Sequence, residues 1–298
     1  MLSDACHLNR SAIPTRIPEN KELVFLCYHD GKTEIFLGEA MVNGICQITP
    51  GFWLLRLDCP SIAHTAEPGQ FVHLLCGGGV NSLMRRPLSL HRVDRVKDEL
   101  SILFQVHGEG TKWLAGRREG DRVNIIGPLG HGFPRPQGNR ALLVAGGLGV
   151  APLLFLAESL QRDGVKVSFL MGAKSADLLL REAELQALGI HVEVATDDGS
   201  RGYHGLVTDL MESHLVVPEE PVAVYACGPT PMMEKVAQIA GASQLPCWVS
   251  LEERMACGLG ACRGCSVRIK DRNGELRYEN ACSYGPVFDA QEVIWHAN

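Results

Sequence analysis

The sequence predicts a multidomain protein: a small antiparallel β-barrel, then an α/β domain on a parallel sheet, then a small cysteine-rich carboxyl-terminal domain. Three observations predict it. Short apolar or alternating runs separated by turn residues fill positions 39–126, strand-like runs alternate with helical ones from position 141 onwards, and four of the eleven cysteines lie between positions 257 and 282. The 298 residues exceed what one core usually serves, since single cores stop growing near ~250 residues. A hydrophobic fraction of 46% gives each unit enough apolar side chains to bury. The net charge of −6 and the lack of a long Lys/Arg block oppose a nucleic-acid or anionic-membrane surface.

Residues 1–35 read as an amino-terminal extension of unassigned role. Its start, MLSDACHLNR, lacks the basic-then-apolar pattern of a secretory signal, so a cytoplasmic protein is expected. LVFLCY followed by the turn-like HDGKT reads either as a hairpin or as part of a loosely attached extension. The runs EAMVNGICQI, FWLLRLDC, FVHLLC, RPLSLHRV, ELSILFQV and RVNIIG then supply the barrel, assigned to residues 36–138. GHGFPRPQGNR, at 130–140, is rich in Pro and Gly and reads as a linker.

The α/β domain is assigned to residues 139–245. Its opening stretch, ALLVAGGLGVAPLLFLA, carries no charge from 141 to 157. That is shorter than the roughly 20 residues a spanning helix needs, and three glycines and a proline interrupt it; a buried strand, a glycine turn and a helix start are expected instead. VKVSFLMGA, HVEVATDDG and VAVYACGP read as strands. PLLFLAESLQRDG, DLLLREAELQALG and PMMEKVAQIAGAS read as helices. Such alternation means crossover units and a parallel sheet. Residues 246–298 form the cysteine-rich domain.

Seven cysteines (6, 27, 46, 59, 76, 227 and 247) are scattered without framework spacing and are simplest as small buried hydrophobes or idle thiols. The other four make a constellation. Cys257, Cys262 and Cys265 follow C-x4-C-x2-C, with Cys282 farther on, the spacing that holds a plant-type [2Fe–2S] cluster. A loop supplying three thiolates must fold tightly on itself, and Gly258, Gly260 and Gly264 remove side chains that would obstruct it. A structural zinc site more often shows two short pairs, and a Cys262–Cys265 dithiol would leave two cysteines without a role. A zinc-stabilised binding module without redox chemistry is the alternative of another class.

Two further sites emerge. In RRPLSL, Arg86 can fork onto a pyrophosphate, Pro87 stiffens the strand, and the Ser89 hydroxyl can reach a ring nitrogen; Gly110 and Thr111 open a short helix whose free N–H groups would receive a phosphate oxygen. In AGGLGVAP, Gly147, Gly149 and Pro152 form G-x-G-x-x-P between a strand and a helix, with proline where the dinucleotide fingerprint has glycine or alanine. TDDGS (196–200) and CGP (227–229) end two more strands, and in an open parallel sheet such ends border one crevice. Standing alone, Arg86 also reads as a solvated edge residue, Asp197 and Asp198 as a turn, and Cys227 as a buried thiol.

The order RPLS, GEGT, GPLG, AGGLGVAP, TDDGS, CGPTPM, SLEERMACGLGAC and GPVFDA resembles the electron-transfer subunits of two-component, NAD-linked dihydroorotate dehydrogenases, within the ferredoxin-reductase superfamily. The likeness spans about 36–298. Leu88 stands where the superfamily commonly has Tyr, and Ser283-Tyr284-Gly285-Pro286 stands where Asp-Gly-Pro is usual. The resemblance implies that Arg86, Pro87, Leu88, Ser89, Gly110 and Thr111 hold FAD. It implies that Gly147, Gly149, Asp198, Cys227 and Gly228 face NAD, with Cys227 as the catalytic position, and that Cys257, Cys262, Cys265 and Cys282 ligate the cluster. It further implies an FMN-containing catalytic subunit as partner, a heterotetramer, and a role in pyrimidine biosynthesis. A reductase of the same carriers serving a glutamate-synthase, sulfide-dehydrogenase or hydrogenase partner is the nearer alternative. Lys174 and Ser175 could meet a 2′-phosphate, but a solvated turn is simpler and NAD is expected.

Overall fold

The computed structural model describes residues 23–27, 33–77, 84–214, 222–271 and 273–295. Residues 1–22 of the extension and the expected turn at 28–32 lie outside them. The first sheet contains β1 (Leu23–Cys27), β2 (Thr33–Thr49), β3 (Phe52–Asp58), β4 (Phe71–Leu74), β5 (Arg86–Ser89), β6 (Arg92–Asp94), β7 (Glu99–Gln105) and β8 (Arg122–Leu129), with short helices α1 (Pro60–Ala63) and α2 (Glu109–Ala115) between strands. The order is β5-β4-β8-β2-β3-β7-β6, and β1 pairs with β2. Leu23 pairs with Leu37 and Cys27 with Thr33, so LVFLC is one arm of an antiparallel pair, which favours the hairpin of the two readings of this segment. The long β2 shifts register at Val42/Gly44 and Gln47/Thr49, bulges that sharpen the twist and curl the sheet into a half-barrel. Alternation sends Val72 and Leu74 into its core with Leu55, Leu57, Ile102 and Phe104. Phe71 and His73 therefore point away from that core.

The second sheet contains β9 (Arg140–Gly146), β10 (Lys166–Ala173), β11 (His191–Thr196), β12 (Tyr203–His204) and β13 (Val222–Cys227), crossed by helices α3 (Val150–Arg162), α4 (Glu182–Ala187), α5 (Val207–His214) and α6 (Thr230–Ala242). With β14 (Cys247–Ser250) and, after two strands of the cysteine module, β17 (Val287–Asp289), its order is β12-β11-β10-β9-β13-β14-β17. Every pairing except β14 with β17 is parallel. The chain leaves β9 towards β10 and returns on its other side as β13; that reversal opens a crevice above the strand ends.

The charge-free stretch becomes β9, the glycine turn and the first half of α3. It is apolar all round because α3 packs on both neighbours: Leu153, Leu154 and Leu156 join the sheet core, while Phe155 joins the half-barrel core. His91 Nδ1 donates to the Ala151 carbonyl at 3.0 Å and Arg92 pairs with Glu158 at 2.6 Å, fastening half-barrel to helix. Among the described residues no helix is long and apolar enough to cross a membrane. The helix expected over DLLLREAELQALG is confined to Glu182–Ala187, because Leu180 dives into the core and Arg181 takes a left-handed φ of 65°. The cysteine module adds a hairpin of β15 (Ser266–Lys270) and β16 (Leu276–Asn280), Ser266 opposite Asn280.

Candidate functional site

Two cavities lie where the units meet. The smaller, about 210 Å³, has Phe71, Pro87, Leu88 and Ser89 on the half-barrel side, Leu148, Ala151 and Pro152 on the glycine-turn side, and Ser250–Glu253, Met255 and Pro286 on the third. The larger, about 1340 Å³, lies over the strand ends and is lined by Gly147, Gly149, Lys174, Asp197, Gly228 and Thr230 among others. Gln105, Leu148, Leu251, Glu252 and Glu253 belong to both walls, so the cavities adjoin. Crowding by those walls desolvates the Glu252 and Glu253 carboxyls and raises their pKa, although solvent reaches both.

Each residue of the flavin motif has a definite place. The Arg86 side chain lies across Gly110, where an added Cβ would come within 2.8 Å of Nε, so the glycine leaves room for the guanidinium to lie over the start of α2. Arg86 Nη1 donates to the Met84 carbonyl at 2.6 Å. Thr111 Oγ1 accepts from the backbone of His107 at 2.9 Å and Gly108 at 3.2 Å, which fixes the loop that starts α2. In the glycine turn, Gly147 has a φ of 53° and open space where a Cβ would be, whereas a Cβ on Gly149 would fall 1.9 Å from the Cys227 carbonyl oxygen. The first glycine thus clears the crevice and the second seats α3 on the end of β13.

Cys227 itself is 3% exposed and lines neither cavity; burial pushes its thiol well above the ordinary range, so it stays protonated. Gly228 does line the crevice. Asp198 spends its carboxylate on Ser200, 2.9 Å to N and 2.6 Å to Oγ, and the crevice wall is formed by its neighbour Asp197.

The four cysteines converge. Cys257 Sγ accepts from the N–H of Leu259 at 3.4 Å and of Cys262 at 3.5 Å, Cys282 Sγ from Gly260 at 3.1 Å, and Cys262 Sγ from Gly264 at 3.5 Å. Backbone hydrogen bonding around Cys257 and Gly264 draws the exposed Cys262 thiol down to about 7. Cys282, buried and beside the Cys265 and Cys257 sulfurs, is pushed up to about 12. Four neighbouring sulfurs of this kind ionise together only when cationic metal offsets their charge.

Pattern reading missed His73. It is wholly buried on β4, both ring nitrogens lack a hydrogen bond among the described residues, and burial holds its pKa down to about 4. Gln105, Glu252 and Met255 were missed too, because tertiary approach alone brings them to the cavities; the local alternation of FVHLLC gives no sign that its His is special.

Residues 252–294 match the family described as the iron-sulfur cluster binding domain of dihydroorotate dehydrogenase B, and residues 143–238 match the oxidoreductase NAD-binding domain. The dihydroorotate dehydrogenase B (NAD(+)) electron transfer subunit of Desulforamulus reducens is 40% identical over 86% of this chain and 98% of the relative. The chain belongs to that family of electron transfer subunits. The Bacillus caldolyticus member is 44% identical over 80% of this chain and 91% of its own length. Among solved structures, the NADH-dependent reduced ferredoxin-NADP oxidoreductase, described for flavin-based electron bifurcation, superposes with a TM-score of 0.77 at 30% identity, covering 86% of this chain and 90% of that one. Family and fold together imply FAD, a [2Fe–2S] cluster and NAD. The residues present fit all three: converging thiols wrapped in N–H donors suit the cluster, the cleared face of Gly147 suits a pyrophosphate, and the cavity between Ser89 and Leu251 suits a flat ring system.

Proposed function

We propose that the chain passes electrons between the FMN of a dihydroorotate dehydrogenase catalytic subunit and NAD, in pyrimidine biosynthesis. The observation that carries this is the shared wall: Leu148, Leu251 and Glu252 separate the nucleotide crevice from the smaller cavity, and the same segment runs on through Met255 into the cysteine loop. Three carriers would thus be held in sequence by contiguous residues. When bound, the flavin exchanges hydride with the nicotinamide and single electrons with the cluster, so it joins a two-electron carrier to a one-electron one.

The chain's own residues do the positioning. Arg86, Pro87, Leu88 and Ser89 would hold the flavin from the half-barrel side, with Gly110 and Thr111 shaping the loop beside its phosphates. Gly147, Gly149 and Gly228 would shape the dinucleotide site, Asp198 would hold the rim turn, and Cys227 would back the nicotinamide end as a neutral buried thiol. Leu148 and Leu251, which line both cavities, would exclude water from the boundary between them. Cys265 and Cys282 are the buried ligands and Cys262 the exposed one, so the cluster would open to the surface on the Cys262 side, beside the exposed Leu259. That face is where a catalytic subunit would dock in a cytoplasmic heterotetramer, and the chain's own domains would divide as 36–138 for FAD, 139–245 for NAD and 246–298 for the cluster.

The test is co-expression with an FMN-containing dihydroorotate dehydrogenase subunit. Dihydroorotate-dependent reduction of NAD by the purified complex is expected, with two copies of each chain by light scattering. A stable complex without that activity would point to another redox partner.

A further inference from the structure

Resting on that reading, we propose that His73 is a positioning residue between flavin strand and cluster: its buried imidazole props the Cys257–Gly258 turn and gives the cluster an N–H donor on its flavin side. Four observations converge on it. His73 is 0% exposed and lies on the face of β4 turned away from the half-barrel core. Its cross-strand neighbour is Pro87, whose strand lines the smaller cavity. The ring touches the cysteine loop: a Cβ on Gly258 would come 2.5 Å from Nδ1 and 3.1 Å from Cε1. Backbone of Cys257 and of Arg85 comes near enough to the ring to oppose the fall in its pKa as a weak hydrogen-bonding partner, yet at neither nitrogen does any described residue reach the distance and angle of an ordinary hydrogen bond.

The strand beneath is held firmly. Arg85 Nη1 donates to the His73 carbonyl at 3.2 Å and the Asn124 carbonyl at 3.3 Å, Arg85 Nη2 donates to Asn124 Oδ1, and Asn124 Nδ2 donates to Glu39 Oε1 at 2.7 Å. A side chain so fixed does not swing away to find water. A buried donor left unmet is costly, and an apolar residue would fill the same place without that cost. The loaded cluster supplies what is missing, since its sulfurs and thiolates carry negative charge and accept N–H bonds. Such bonds stabilise the reduced, more negative form and so raise the reduction potential.

The experiment compares wild type, His73→Leu and His73→Gln as anaerobically purified holoproteins, by reductive titration with EPR detection of the cluster and optical detection of FAD. The Leu variant is expected to keep iron and FAD but to show a roughly tenfold lower ratio of reduced to oxidised cluster at a given potential, about 59 mV for one electron. FAD is expected to titrate unchanged, and Gln, which retains an N–H, to restore most of the shift. A loaded Leu variant with the wild-type cluster potential overturns the proposal. Should Leu fail to hold iron, Gln decides: a wild-type potential supports the N–H role, and equal loss of iron overturns it. Wild-type protein without iron is a separate result, failing the functional reading itself.

Discussion

Gly258 shows how little room the cysteine loop leaves. Its φ of 72° is left-handed, which costs an L-residue about 1–2 kcal/mol, and any Cβ there meets the His73 ring. Gly258→Ala is expected to lower iron content several-fold while leaving FAD bound, read by metal analysis and the flavin spectrum; full iron loading would contradict the contact. His91 makes a pH prediction. Burial drops its pKa from 6.5 to about 3, with Arg181 and Arg92 adding positive charge nearby, while its bond to Ala151 opposes the drop. The folded state therefore refuses a proton that the unfolded chain accepts below 6.5, so stability falls with decreasing pH across 6.5 to 3, by up to about 1.4 kcal/mol per unit. Thermal unfolding from pH 7.5 to 5.5 should show wild type losing its advantage over His91→Leu as pH falls; a constant difference would contradict the assignment.

At the scale of elements, the strand-turn-helix from β9 to α3 is what joins the units. Gly149 lets α3 sit against the end of β13, and a methyl group there would overlap the Cys227 carbonyl. Gly149→Ala is expected to cost about 3 kcal/mol or more, since overpacking of this degree cannot relax without moving backbone. Circular dichroism melts and NAD titration should both register it; a variant with wild-type melting would show that the helix has slack. This turn was legible in the sequence because its chemistry-bearing residues recur at a short, recognisable spacing between flanks of clear period. The cysteines were legible for the same reason. His73, Gln105 and Glu252 were not, because each sits in an ordinary local pattern and gains meaning only when another element arrives. The helix expected from Asp177 was overruled by burial of Leu180, a tertiary demand that outweighs propensity.

On the scale of the whole molecule, half-barrel, parallel sheet and cysteine hairpin are stacked so that their inner surfaces enclose adjoining cavities. Phe71 on β4, Leu148 in the glycine turn and Leu251 just after β14, where the chain heads into the cysteine loop, line the same small cavity. His131 N–H donates to the Gly285 carbonyl at 2.7 Å and Leu251 N–H to the Pro286 carbonyl at 2.9 Å, tying the linker and β14 to the chain just beyond the last cysteine. Such closure is what a relay requires, because carriers on separately moving bodies would exchange electrons slowly. The most direct test is NADH reduction of the anaerobic protein by itself, followed by EPR. About two irons per chain are expected, with the signal of a reduced [2Fe–2S] cluster on adding NADH. Colourless protein holding zinc, or iron-loaded protein whose cluster NADH leaves oxidised in the presence of bound FAD, would contradict the relay.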